Sequence, residues 1–419
     1  MKVQYDNGSI NGIWSWGALI LVVVACIPLG LQIALPDGIK VDEGAHFGQI
    51  QAFWAGRVGS PQEFGLTMLP GYHVLVAVLA KLIGLESLFG ARIVGLLFSI
   101  PSVLIFALIS KRVGDNNPAQ SALVYFLCPL FFPYFFLLYT DITSVTFVSL
   151  AVLFTLNKRF FVAAFVLLLS MLVRQDNVIW AVLCFVLALH QLLDLNQPDE
   201  LSDKALVALD AVTKHLWAFP VLFVGFGVFF VLNGGVAIGD SESHKVERIH
   251  LTQVFLCVLV LFVLMLPLHV ANLKKIVALI YHQPFWLFIG ASAFPLYIVT
   301  FWTEHGYNNF GGFIHNEVVI WLKASLAHKV YAYLGIVWCF YSLVVTPLAE
   351  KRFYWLYPLS ALAVVPHSLV EPRYFIVPIV LFLAMRKRNG DDLEYVILSI
   401  YVIATWYLCT EIRAGAIFL

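Results

Sequence analysis

Long apolar runs alternate with short polar knots along almost the entire chain. The runs fall near residues 15–35, 89–110, 119–138, 142–156, 160–173, 178–193, 215–233, 251–270, 283–302, 328–347, 353–366, 374–386 and 393–411. A helix crossing a bilayer needs about 20 mostly apolar residues, and fewer where loops are tight. Open strands in lipid would leave backbone groups unpaired, so the runs predict helices. The pattern therefore predicts an all-α polytopic membrane protein with about 13 transmembrane helices. The first run is long for a signal peptide and lacks a clear small-residue cleavage site, so it reads as a retained span.

One further apolar stretch, 69–83, breaks the charge pattern if counted as a crossing. Read as an interfacial or re-entrant helix, it restores that pattern. Lys111-Arg112, Lys158-Arg159, the polar segment 194–214, Lys274-Lys275, Lys351-Arg352 and Arg386-Lys387-Arg388 then share one side. Basic loops mark the cytoplasmic side. The opposite side receives 36–88, 139–141, 174–177, 234–250, 303–323 and 367–373. The amphipathic stretch 194–214 reads equally as an interfacial helix or a solvated linker. The whole chain, 1–419, is read as a single transmembrane domain. Its large first non-cytoplasmic loop is 36–88, its cytoplasmic linker is 194–214, and further non-cytoplasmic loops lie at 234–250 and 303–327.

Composition agrees with a membrane bundle: 61% of the 419 residues are hydrophobic and 12% charged, about half the charged share of soluble domains. Zero net charge gives no reason to expect nucleic acid. All six cysteines sit in apolar runs with no Cys-x-x-Cys pair, which disfavours a zinc site or a disulfide framework. There is no Gly-rich phosphate loop, and no metal or cofactor is expected.

Candidate chemistry collects in the non-cytoplasmic loops, where polar groups at span ends are costly unless they face protein or water. Asp42-Glu43-Gly44-Ala45-His46 supplies two carboxylates and an imidazole. If helical, it sets Asp42 and His46 on one face. Either carboxylate could accept a proton from a hydroxyl, although ordinary polar loops contain such triplets too. Thr67-Met68-Leu69-Pro70-Gly71-Tyr72-His73 fits a Pro-initiated helix. Tyr139-Thr140-Asp141 and Arg174-Gln175-Asp176-Asn177 read as a structural salt bridge or as a cationic site for an anionic head group. Gly239-Asp240-Ser241-Glu242-Ser243-His244 suits a substrate-binding loop better than a metal site. Glu371-Pro372-Arg373-Tyr374 offers an arginine able to grip phosphate or to snorkel to the lipid surface.

Taken together, these pieces resemble the membrane-embedded GT-C glycosyltransferases, and within them the dolichyl-phosphate-glucose-dependent α-1,2-glucosyltransferases. The resemblance rests on Asp42-Glu43-x-x-His46 after the first span, on Arg92 and, at the end of the second span, Lys111-Arg112-Val113-Gly114, on Thr67 to Tyr72, and on Phe136 to Ser144. It rests further on Val173-Arg174-Gln175-Asp176-Asn177-Val178-Ile179-Trp180, on Gly239-Asp240 with His244, His250 and Gln253, and on Glu371-Pro372-Arg373-Tyr374-Phe375-Ile376. Ser60-Pro61-Gln62-Glu63 stands where that family has Trp-Asp-Pro, Ala45 replaces a large residue, and 304–323 matches poorly.

The resemblance implies a GT-C bundle and an inverting transfer of glucose from a polyprenyl phosphate to a lipid-linked glycan, with an α-1,2 linkage. Asp42 is the expected base, Glu43 the second choice, and His46 an orienting group. Arg373, Arg174 and His244 are expected to hold the donor phosphate. Tyr139, Asp141, Asp176, Asn177, Asp240, Glu371 and Tyr72 are expected on sugar or acceptor. The partners are the lipid-phosphate donor, the glycan acceptor and membrane lipids. The site would face the lumen of the endoplasmic reticulum in a eukaryote, or the periplasm in a bacterium. Another glycan, protein or lipid acceptor, a secondary transporter and a non-catalytic membrane scaffold are the competing readings. A transporter site should lie near mid-membrane, whereas these charges gather at one face.

Overall fold

A computed structural model describes residues 8–35, 38–196, 201–239 and 249–419. Each of the thirteen apolar runs contains a helix. Among the described residues there is no strand, only isolated bridges joining Phe313 to Phe418 and Leu348 to Arg386. Five helices are long and apolar enough to cross a membrane: Ser15–Ala34, Leu88–Arg112, Gln175–Asp194, Leu326–Val345 and Asp391–Ala414. Two bent pairs bring the number to seven if each counts as one span. Ala205–Lys214 meets Ala218–Asn233 at 78°, and Leu273–His282 meets Phe285–Thr300 at 102°. The chain is an integral membrane protein built of helices. Shorter apolar helices, including Asp141–Leu156, Phe160–Val173 and Leu251–Leu264, fill the bundle between the longer ones.

The run 119–138 is not one helix. It divides into Pro118–Phe126 and Phe132–Phe136, because Pro129 and Pro133 lack the N–H groups that would continue the ladder. The break lies inside the protein, where Phe126, Phe131, Phe132 and Phe135 are buried. Ring centroids 5.3 Å apart for Phe126–Phe132 and 5.1 Å apart for Phe126–Phe135 fill the gap. Irregular backbone at this depth is tolerated because protein, not lipid, surrounds it.

The basic loops converge on one end of the bundle. Arg112 donates to Leu156 O at 3.0 Å, Arg388 pairs with Asp115 at 2.9 Å, and Asn389 donates to Asn272 Oδ1 at 3.2 Å. The stretch 194–214 contributes the helix Leu201–Lys214. The other set of loops converges elsewhere, on a platform made by two first-loop helices, Glu43–Trp54 and Gly71–Leu82. Ile50, Val76, Ala77 and Ala80 pack there with Ala91 and Val94, and Trp54 Nε1 donates to Ala77 O at 3.0 Å. Gly71 lets the second helix approach Phe160–Val173 closely. A Cβ at Gly71 would lie 2.5 Å from Leu172 O.

Candidate active site

Asp42 precedes the helix Glu43–Trp54 and makes no side-chain capping bond to it, and the adjacent carboxylates point to different environments. Glu43 is fully buried and accepts four N–H bonds. These come from Arg92 Nη2 at 2.6 Å and Nε at 2.9 Å, from Leu138 N at 2.7 Å and from Lys40 N at 2.8 Å. Arg92 also donates to Ala34 O and to Gly38 O at 2.9 Å. Its guanidinium thereby ties the end of the first span to the first loop. Asp42 is half exposed instead, and Arg373 Nη2 reaches its Oδ2 at 2.6 Å.

The arginine of Glu371-Pro372-Arg373-Tyr374 is held on two further sides. Glu371 Oε2 accepts from it at 3.1 Å, and the Tyr139 ring lies beneath its guanidinium, 5.1 Å from the ring centroid. Tyr139 Oη donates to Lys40 O at 3.1 Å and accepts the Asp42 N–H at 3.2 Å, which fixes the backbone on which Asp42 sits. Arg174 pairs with Asp141 at 2.7 Å and with Asp176 at 3.1 Å. Asn177 holds the turn from below, through Ser144 Oγ at 2.8 Å and Ser170 Oγ at 2.7 Å.

Neutral side-chain amides stitch the surrounding loops together. Gln175 Nε2 donates to Thr67 O at 2.6 Å and Val236 O at 2.9 Å, and its Oε1 accepts the Leu69 N–H at 3.2 Å. Gln253 donates to His367 O at 2.9 Å and Leu369 O at 2.7 Å. Asn308 Oδ1 accepts the Val370 N–H at 3.0 Å, while Asn316 donates to Tyr307 O at 2.8 Å and Phe310 O at 2.9 Å.

The result is a cavity of about 520 Å³, within the size range of sites for small organic ligands. Asp42, Arg174, Glu371 and Arg373 form its charged side, joined by the uncharged His46 and Tyr139. Tyr307, Phe310, Phe313 and Phe418 form an aromatic side, with His315 and Asn316 between the two. A smaller recess of about 30 Å³ on the far side of Arg174 and Arg373 is lined by Asp141, Asp176, Asn177 and His367. Burial first, then the charges of Arg373 and Arg174, lower the His46 pKa to about 3, so this imidazole is neutral at ordinary pH. Burial also lowers that of His315.

Of the residues singled out from sequence, Asp42, His46, Tyr139, Arg174, Glu371 and Arg373 therefore meet in one cavity, and Asp141, Asp176 and Asn177 stand behind it. Glu43 lies beneath the loop. Tyr72 is buried against His73, ring centroids 5.6 Å apart, and lines neither space. Asp240 and His244 lie outside the described residues. The chain leading to Asp240 passes the cavity rim, where Ile238 N donates to Thr67 O at 3.0 Å. Sequence reasoning did not single out the aromatic side. Its only signal was the concentration of His, Asn and aromatic residues in 303–316, and Phe418 had none.

The chain is similar in sequence to known proteins. A mouse protein named Dol-P-Glc:Glc(2)Man(9)GlcNAc(2)-PP-Dol alpha-1,2-glucosyltransferase is 25% identical over 393 residues, covering 82% of each chain. A human protein of the same name is 26% identical over 393 residues, again with 82% of each chain covered. One from Yarrowia lipolytica is 26% identical over 287 residues, 62% of this chain and 53% of its own. No solved structure matches. The sequence pattern of the DIE2/ALG10 family matches residues 38–384, a stretch that holds every described charged residue of the cavity, and the chain belongs to that family.

Proposed function

We propose that this protein is an inverting α-1,2-glucosyltransferase. It moves glucose from dolichyl phosphate, or a similar polyprenyl phosphate, to a lipid-linked glycan. The observation that carries the reading is the carboxylate of Asp42, ion-paired with Arg373 and sharing with Arg174 the lining of a cavity large enough for sugars. The names of the relatives supply the donor and acceptor.

In this scheme the acceptor hydroxyl oxygen attacks the anomeric carbon of β-linked glucose. The bond from that carbon to the phosphate oxygen breaks, and the lipid phosphate departs with the electron pair. Asp42 takes the hydroxyl proton, an assistance worth about 10²–10⁴ in rate. Arg373 and Arg174 meet the charge that grows on the phosphate oxygens, where a partly dry site strengthens the attraction. An arriving phosphate competes with Asp42 for Arg373, so donor binding loosens the 2.6 Å ion pair and frees the carboxylate. Glu43, saturated by four donors, holds the loop in place. Tyr139 and Glu371 set the positions of Asp42 and Arg373. Asp141, Asp176 and Asn177 shape the turn that carries Arg174. We assign the aromatic side to sugar rings, which present apolar faces to such walls. Asp240 and His244 belong to a loop whose entry lies at the rim.

We read the shorter apolar helices as completing a GT-C bundle of about thirteen crossings. It would lie in the endoplasmic reticulum membrane, with the cavity on the lumenal face. Three of the four residues on the aromatic side, Tyr307, Phe310 and Phe313, come from 304–323, which matches the family pattern poorly, and this favours testing a second acceptor as well. The test is transfer from polyprenyl-phosphate glucose by purified protein, with glucosylated lipid-linked oligosaccharide and a shorter glycan as acceptors. Asp42→Asn is expected to fold normally and to lose transfer by about 10²–10⁴-fold. Arg373→Ala is expected to lower donor use by about 10²–10³-fold. Equal rates in wild type and Asp42→Asn would remove Asp42 as base.

A further inference from the structure

Beside Asp42 lies a pair of imidazoles outside the ion-pair network. His46 Nδ1 and His73 Nε2 are 2.8 Å apart, and both residues are buried. One proton lies between these nitrogens, and either ring could own it. The rest of the pocket decides between the two. His73 Nδ1 is buried and has no partner. If His46 owned the shared proton, the proton of neutral His73 would sit on that Nδ1, a buried N–H with no acceptor. If His73 owns it, Nδ1 is a bare lone pair, which proteins tolerate more readily than an orphaned N–H.

We propose that His73 is a positioning residue: its Nε2–H donates to His46 Nδ1, and His46 therefore presents its own Nε2–H to the cavity as a fixed donor for a substrate oxygen. His46 lines the cavity one helical turn from Asp42, and it follows that its imidazole cannot serve as the base. Nδ1 is occupied and Nε2 is already protonated. The groups around the pair agree with one proton per ring. The Tyr139 and Tyr72 rings flank it, with centroids 5.5 Å from His46 and 5.6 Å from His73. The cations Arg373 and Arg174 oppose a second proton on His46. The substrate oxygen belongs to the donor or to the acceptor glycan. This proposal rests on the transferase reading for its catalytic meaning but not for its geometry.

The test is nitrogen NMR of full-length protein labelled with ¹⁵N-histidine, in detergent. The His46 signals are assigned by their loss in His46→Gln. The expected result is a protonated Nε2 and a bare Nδ1 on His46. His73→Gln, which keeps an amide donor, preserves this pattern, and His73→Leu abolishes it. A wild-type His46 carrying its proton on Nδ1 overturns the proposal, whether or not any transfer is observed. Failure of the wild type to transfer glucose would instead count against the proposed function alone. In the transfer assay His73→Leu is expected to lose on the order of tenfold, the scale of one hydrogen bond. His73→Gln restores most of the loss. A KM rise confined to the lipid phosphate places the oxygen on the donor, and one confined to the glycan places it on the acceptor. His46→Gln keeps a donor and should fall only about tenfold. A fall of 10³-fold or more, the range of a lost general base, overturns the donor role.

Discussion

Replacing Glu43 with glutamine separates the two adjacent carboxylates by their physics. The carboxylate offers two oxygens to four N–H groups, two of them on Arg92, at 2.6–2.9 Å. An amide keeps one oxygen and turns the other into a donor that faces donors. Arg92 is 2% exposed, so its charge would be left in the interior without a counter-ion. Breaking one side of such a buried pair costs about 3–5 kcal/mol. The expected outcome is a fall in melting temperature of roughly 5 °C or more, followed by tryptophan fluorescence in detergent, with transfer reduced because the first loop shifts. Adding Arg92→Gln to Glu43→Gln should recover part of the loss, since no stranded cation remains. This is a coupling that a double-mutant cycle reads directly. A Glu43→Gln protein that melts like wild type but transfers nothing would refute the argument and make Glu43 a group that acts on substrate. One that melts and transfers like wild type would refute it too, by showing that the pair holds nothing.

Three further outcomes follow from the same geometry. Gln175→Leu leaves the Leu69 N–H without its acceptor, at a cost of about 1–3 kcal/mol, and should lower both thermal stability and transfer. Gly239 has φ +76° and no room for a side chain, since a Cβ would sit 2.1 Å from Leu66 O. Gly239→Ala should therefore displace the rim and raise KM for substrate, with little change in the unfolding of the spans. His46 has its pKa lowered to about 3 by burial and then by Arg373 and Arg174, against about 6.5 in an unfolded chain. Between these values the unfolded state binds more protons, so stability present above about pH 6.5 is lost as pH falls toward 3. His46→Gln should flatten that acid decline in pH-dependent melting curves.

The helices were the most legible part of the sequence, because lipid demands apolar length and leaves few alternatives. The range 160–173 coincides with the helix Phe160–Val173. The run 119–138 misled because hydropathy registers apolarity and not the missing N–H groups of Pro129 and Pro133. The charged side of the cavity was legible as polar knots at span ends. The separate environments of Asp42 and Glu43 were not, since they depend on Arg92, distant in sequence and lying inside an apolar run. The aromatic side was illegible for a related reason: Phe310 and Phe418 look like any other apolar residues until a bridge between Phe313 and Phe418 brings their segments together.

The amides that stitch the loops have a consequence for how the cavity responds to its surroundings. Gln175, Gln253, Asn308 and Asn316 carry no charge, so salt does not screen their hydrogen bonds and ordinary changes of pH do not titrate them. The walls keep their shape across a change of pH or ionic strength, while the arginines and Asp42 remain free to exchange partners. Rigidity and responsiveness are thus assigned to different residue types, and a change of ionic conditions should alter occupancy of the cavity without altering its outline.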